Sequence, residues 1–445
     1  MNVGFYRKVL PIFVVEAYLI FTLLVFAVGP VEYFVADPLL FWGFILTYHL
    51  SLVAGYSLGI ASGPLVSNFS KNRRPRKSSI YWILVISAII GFLIGHKNLT
   101  MSDSLVPYDI FDNLLLGLTD NQGAYASKIS RLDDYSGDKV LNVVYLFFGY
   151  SRIVLVSFMV YEWDRFGFFK KIVLLVVSVL PVLSGISVGT NKPVFDFAFV
   201  FGMSLAIYFL GNYFQKGQFQ LRTRVGFILF SAIAFFGAVG YFSFAMQSRG
   251  GSADYIVGTS PLGHIRLADS YLPVENLSFA ASTWVWLSSY LVQGYYGFSQ
   301  ALLVDFTWTY GVGNSPFLAR QVEWITGVNL LDGTFPHKIS RIWDEGAQWH
   351  SWYSHLASDF HFVGVAFFLA LFGFYFARVW KSYCDFHNVF AAYLLPLFGI
   401  AFIFTPANNQ VFGFIETMSA FLVLSLFWLR SQKSAMFSGN GAYKR

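Results

Sequence analysis

Residues 171–213 read KIVLLVVSVLPVLSGISVGTNKPVFDFAFVFGMSLAIYFLGNY. Two apolar runs, 171–189 and 193–213, flank the short polar turn GTNKP. Each run is close to the roughly 20 residues that a helix needs to cross a bilayer. Within hydrocarbon the backbone must satisfy its own hydrogen bonds, and for a single apolar run only a helix does so. The stretch therefore reads as a helical hairpin through a membrane.

The same test, carried outward, finds spans near 9–30, 38–62, 79–96, 140–162, 225–246, 362–381, 388–405 and 410–430. Composition agrees. Only 12% of the 445 residues are charged and 56% are hydrophobic, whereas a soluble domain is about a quarter charged. The 51 Phe suit a lipid-solvated chain, and the 26 Tyr and 12 Trp suit interfacial belts and sugar-binding surfaces. Cys384 is the single cysteine, which excludes an internal disulfide and a Cys-cluster metal site. Met1–Lys8 and the apolar run after it read as a first anchor, because no small-residue cleavage site closes them. The expected fold class is an all-α polytopic membrane protein of about 10 transmembrane helices, within a range of 10–12.

Basic residues set the expected orientation. With the N-terminus inside, the cytoplasmic pieces hold 19 Lys and Arg, five of them in KNRRPRK at 71–77. The much longer outer pieces hold 10, and Arg152 alone lies within a span. The net charge of +6 is thus a topology signal and not a nucleic-acid patch. The expected layout is transmembrane helices 1–7 in 1–246, a large outer loop at 247–361, helices 8–10 in 362–430 and a cytoplasmic tail at 431–445. Within the loop, 279–304 is apolar enough to enter the membrane as a re-entrant helix, an interfacial helix or two half-spans.

Several residues could carry chemistry. Arg152 is a charge inside a span, where a partner is needed. Asp196, Glu416 or a bound lipid diphosphate could supply one. Glu16 and His49 are lone polar residues in spans and suit helix–helix hydrogen bonds. Lys192 and Arg249 lie at span ends, at headgroup depth, and Arg266 and Lys338 lie in the loop. These cations are candidates for lipid-diphosphate binding, which Arg serves in pairs of bonds. The densest segment is TFPHKISRIWDEGAQWHSWYSHLASDFHFVG at 334–364. It holds Lys338, Arg341, His350, His355, Asp359 and His361 among Trp343, Trp349 and Tyr353. Cations there can hold a diphosphate, and His350 or Asp359 can take a proton. The aromatics are candidate sugar-stacking surfaces. His350, His355 and Asp359 are spaced by five and four, but no metal-site signature accompanies them and no metal is expected. Gly250–Gly251 and GVGNSP at 311–316 do not match a phosphate-binding loop.

The layout, with a long outer loop late in the chain and an Arg- and His-rich loop end, resembles the Wzy-type O-antigen and oligosaccharide repeat-unit polymerases, which are related to O-antigen ligases. Such proteins carry a pattern like His-Asn-x-Tyr/Phe-Leu…Glu-x-Gly-x-x-Gly at the end of the loop. Here His350-Ser-Trp-Tyr353 opens it, Asp359 stands at the acidic position and Gly364 at the last Gly. Ser351, Ser354 and His361 stand where the pattern has Asn, Leu and its first Gly. The run at 288–317 is similar to loop segments of that family, and Lys192 of the GTNK turn stands for a family Arg.

The resemblance implies a GT-C-like bacterial inner-membrane glycosyltransferase. It would join undecaprenyl-diphosphate-linked oligosaccharides on the periplasmic side, without a cofactor, beside membrane lipid and a chain-length regulator protein. It implies catalytic roles for His350, Asp359 and Arg341, and diphosphate contacts by Arg249 and Arg152. The alternatives are an O-antigen ligase, a lipid-linked oligosaccharide flippase and a non-catalytic scaffold. Against the flippase, the two halves show no repeat.

Overall fold

The computed structural model describes residues 3–63, 77–108, 110–131, 138–216, 236–237, 239–246, 264–272 and 277–438. Apart from two three-residue strands, the regular structure among them is helical. Among the described residues seven helices are long and apolar enough to cross a membrane: Arg7–Val28, Pro38–Ala61, Ser79–Thr100, Lys139–Arg165, Phe168–Ser187, Lys192–Tyr213 and Trp352–Phe386. Their faces expose Leu, Ile, Val and Phe (Phe13, Leu39, Leu46 and Phe367 among them), as lipid contact requires. This is an all-α, multi-pass membrane protein.

Three expected spans read differently. The 388–405 run forms Val389–Phe404, which is apolar but only 16 residues long. The 410–430 run begins late, as Ile415–Ser438, because 405–414 is turn. Most of 225–246 lies outside the described residues, as do most of the basic 63–78 piece, Arg249 and the end of the tail. The run at 279–304 is one continuous helix, Phe279–Ala301, capped by Ser278 through Ala281 N–H, and so is not a pair of half-spans.

The chain divides into two compact units. One comprises Met1–Gly63, Gly250–Arg378 and Phe398–Phe414. In it, the Val3–Val28 helix packs on Phe279–Ala301. The strands Val31–Tyr33 and Ile265–Leu267 pair antiparallel, Glu32 opposite Arg266. Tyr48, Tyr295, Phe298, Tyr353 and Phe362 form a buried aromatic core. Glu16 and His49 find each other, Nδ1 to Oε2 at 2.6 Å, which answers both lone polar residues with one helix–helix contact. The Trp352–Phe386 helix is broken at His361, whose φ of 58° and ψ of 161° suit glycine rather than a side chain. The break falls where the apolar run begins at Phe362, and Tyr48 donates to the Phe362 carbonyl there at 2.8 Å.

The other unit comprises Pro64–Arg249, Val379–Leu397 and Ile415–Arg445. The Tyr150–Glu162 helix is its centre, packed against Lys77–Thr100, Phe168–Ser187, Lys192–Lys216 and Ile415–Ser438. Buried polar contacts fix these helices: Ser157 with Ser204 at 2.9 Å, and His96 with Ser184 at 2.7 Å. The 140–162 span is made of two successive helices, Lys139–Phe148 and Tyr150–Glu162, that meet at Gly149.

Candidate functional site

The loop end at 334–364 folds within the first unit around Asp359. Its carboxylate is buried, 4% exposed. Oδ1 accepts from Gly313 N–H at 2.9 Å, and Oδ2 accepts from Asn314 N–H at 2.8 Å. Thr309 Oγ1 lies 2.5 Å from Oδ1 and 2.8 Å from the Ser358 carbonyl, so one proton serves both. Asn409 Nδ2 reaches the Asn314 carbonyl at 2.6 Å and its Oδ1 at 3.0 Å. Asp359 therefore ties 309–314 to the helix start at 352–360, and Asn409 ties the 405–414 turn to the same loop.

The GVGNSP run explains itself in this setting. Successive N–H groups form a concave anion nest, and the anion is the chain's own Asp359. Gly313 is required, because a Cβ there would fall 2.2 Å from Thr309 Oγ1. Ser315 then caps the Pro316–Thr326 helix through Leu318 N–H, and Gly327, at φ 75°, ends it. With acceptors engaged by two amides and a hydroxyl, the Asp359 carboxylate holds this loop in place.

His350 is also buried, at 3% exposed. Neither ring nitrogen makes a well-formed hydrogen bond, the Trp343 backbone offering only a loose contact. Burial pushes its pKa down to about 3, with His355 adding to the effect. The imidazole is neutral at pH 7, and the same burial makes it a weak proton acceptor there. Gly297 of the Phe279–Ala301 helix leaves room for it, since a Cβ there would lie 3.1 Å from Nδ1.

Trp343 and Tyr353 are both 2% exposed. Trp343 Nε1 donates to the Trp349 carbonyl at 2.9 Å, and its ring meets Tyr296 edge-on. Tyr353 packs between Tyr48 and Phe298. These two rings are buried in the core and present no open face in this structure. Trp349 is half-buried, edge-on to Tyr290.

The expected cations do not form one set. Arg341 is exposed and, among the described residues, has no ion-pair partner. Lys338 Nζ is tied to the Asp305 carbonyl at 2.5 Å and Thr307 Oγ1 at 2.7 Å. Arg266 pairs with Glu32 across the strands at 2.5 Å, both well exposed, a contact worth about 0–1 kcal/mol. In the second unit, Lys192 Nζ meets Asp196 at 2.5 Å and Glu416 at 3.0 Å. Arg152 donates instead to the Tyr145 hydroxyl, with both carboxylates in electrostatic range. The two candidate partners of Arg152 are therefore held by Lys192. Two cations face two carboxylates, so this cluster carries no surplus positive charge for a diphosphate. In this structure the cluster joins three helices.

Thr309, Asn314 and Asn409 were missed by sequence reasoning. Their one legible signal is Gly313, a small residue in a run that matches no phosphate loop. Comparison with protein-family models, with curated proteins and with solved structures finds no match to the chain.

Proposed function

We propose that this protein polymerises undecaprenyl-diphosphate-linked oligosaccharide repeat units by glycosyl transfer on the periplasmic face of a bacterial inner membrane. In this reading it has about ten spans with both termini cytoplasmic and a GT-C-like fold, and it works beside a chain-length regulator. The observation that carries the reading is the backbone at the loop end. The pattern that the sequence resembles has an acidic residue followed two positions later by Gly. Here Asp359 is the buried hub, and His361, at the Gly position, adopts a glycine-favouring conformation. A glycine-favouring backbone at the position where the pattern has Gly supports the reading.

In the reaction, the acceptor hydroxyl attacks the anomeric carbon of the donor. A new carbon–oxygen bond forms, the bond from the anomeric carbon to the lipid diphosphate breaks, and the diphosphate leaves. Charge building on that leaving group needs a cation. Arg341, exposed on the loop end, fits that role. The hydroxyl proton passes to the departing diphosphate, because burial leaves His350 a weak proton acceptor at pH 7. Asp359 clamps the 309–314 loop to the start of the Trp352–Phe386 helix.

The test uses membranes bearing the full chain and a labelled single repeat unit on undecaprenyl diphosphate. Arg341→Ala should abolish the polymer ladder while the protein stays in the membrane, and a normal ladder would refute the assignment. Deleting the gene should leave cores capped with one repeat. A complete loss of capping would favour the ligase.

A further inference from the structure

Trp343 and Tyr353 are buried, so a glycan must find its aromatic surface elsewhere. The loop held by Asp359 presents one. Trp308 is 56% exposed and Tyr310 is 67% exposed, with ring centroids 4.6 Å apart and planes at 36°. Between them, Thr309 is fully buried and pinned to Asp359 and Ser358. The pinned residue forces its two neighbours outward.

The backbone there is strained. Tyr310 has φ 56° and Gly311 has φ 83°, two consecutive left-handed residues. An aromatic residue in that region costs on the order of 1 kcal/mol and persists only where the surroundings over-determine it. Here the bonds from Thr309, Gly313 and Asn314 to Asp359 do so.

We infer that the Trp308–Tyr310 pair is a stacking platform for a pyranose ring of the glycan. This rests on the polymerase reading and adds a subsite to it. A pyranose offers a face of C–H groups to an aromatic ring and hydroxyls at its edge. The surroundings supply partners for both. Asp305 and Thr307 are exposed three residues and one residue before Trp308, and Lys338 is anchored beside them. A hydrocarbon surface would pay heavily for the Asp305 carboxylate and the Lys338 ammonium, whereas sugar hydroxyls bond to either. A fixed ring orientation also lowers the ordering cost of binding a sugar, while an interfacial anchor gains little from it.

The experiment uses the full chain in lipid nanodiscs, screened against an array of bacterial O-antigen and capsule oligosaccharides. The best-retained glycan is then titrated. Trp308→Ala and Tyr310→Gly should each weaken binding by about tenfold, the scale of one lost ring contact. Tyr310→Gly keeps the left-handed turn, so its loss reports the ring and not misfolding. Trp308→Phe should retain most of the affinity. Binding within twofold of wild type in both ring-deleted variants would overturn the platform, as would a wild-type chain that retains no glycan. Quenching of Trp308 by brominated acyl chains, read as wild type against Trp308→Phe, would overturn it in favour of a membrane contact. If glycan binding depends on both rings but the chain makes no polymer from labelled repeat units, the polymerase reading fails and the platform stands. If polymer forms while ring loss leaves binding unchanged, the platform alone fails.

Discussion

Asp359 and Glu416 are both buried carboxylates, and they are neutralised in different ways. Asp359 sits among two backbone amides and a hydroxyl, with no cation in its ring of contacts. Glu416 accepts from Lys192, which also holds Asp196, with Arg152 in range. The first arrangement fixes a backbone path, because amides cannot move without moving the chain. The second fixes side chains across helices, because three elements contribute to it. A loop that must hold a strained turn needs the former, and a helix bundle needs the latter.

The difference can be broken from its costliest side first. Lys192→Met should destabilise the protein by about 3–5 kcal/mol, because it leaves two carboxylates buried without their cation. Adding Glu416→Gln should recover part of that loss in thermal unfolding of the detergent-solubilised chain. A double variant no more stable than the single would show that the two residues are not coupled. Asp359→Ala should cost about 2–4 kcal/mol, since the Gly313 and Asn314 amides lose their acceptor. It should also expose the 309–314 loop to proteolysis, whereas Lys192→Met should not. Equal loop cleavage in both would erase the contrast drawn here.

A smaller effect lies at His350. Its folded pKa is pushed down to about 3, against about 6.5 for an unperturbed His. Unfolding therefore takes up a proton below about pH 6.5, and stability falls as pH drops from there toward 3. His350→Gln should flatten the melting temperature between pH 6.5 and pH 4 by roughly one proton's worth of slope. An unaltered slope would remove the imidazole as its source. The smallest effect is expected at His361→Gly, which relieves the φ of 58° and should stabilise by about 0.5–1 kcal/mol. A loss of stability would mean that the edge contact of His361 with Phe306, at 5.2 Å, outweighs the strain.

Spans were legible in the sequence where apolar runs reached bilayer length, as at 171–189 and 193–213. The boundary at 361/362 was legible as the start of such a run, although the strained turn that makes it was not. Glu16 and His49 were legible as polar residues in need of partners, but not as partners of each other. Asp196 and Glu416 were legible as charges near Arg152, but not their closer contact with Lys192. Trp343 and Tyr353 show why aromatics mislead. Their rings suit a core and a sugar surface equally, and only burial separates the two.

Sequence alone determined the membrane class and the helix-forming stretches. Both follow from how much apolar surface a segment carries and from the demand that its backbone bond to itself. Tertiary structure alone decided which charge meets which, which rings face outward and which loop is clamped. Those outcomes depend on helix rotation and on contacts dozens to hundreds of residues apart, such as Lys192 with Glu416 and Asp359 with Gly313. No local pattern encodes such distances. The hairpin at 171–213 was therefore readable as a hairpin, while the role of Lys192 at its turn had to wait for Glu416 on another helix.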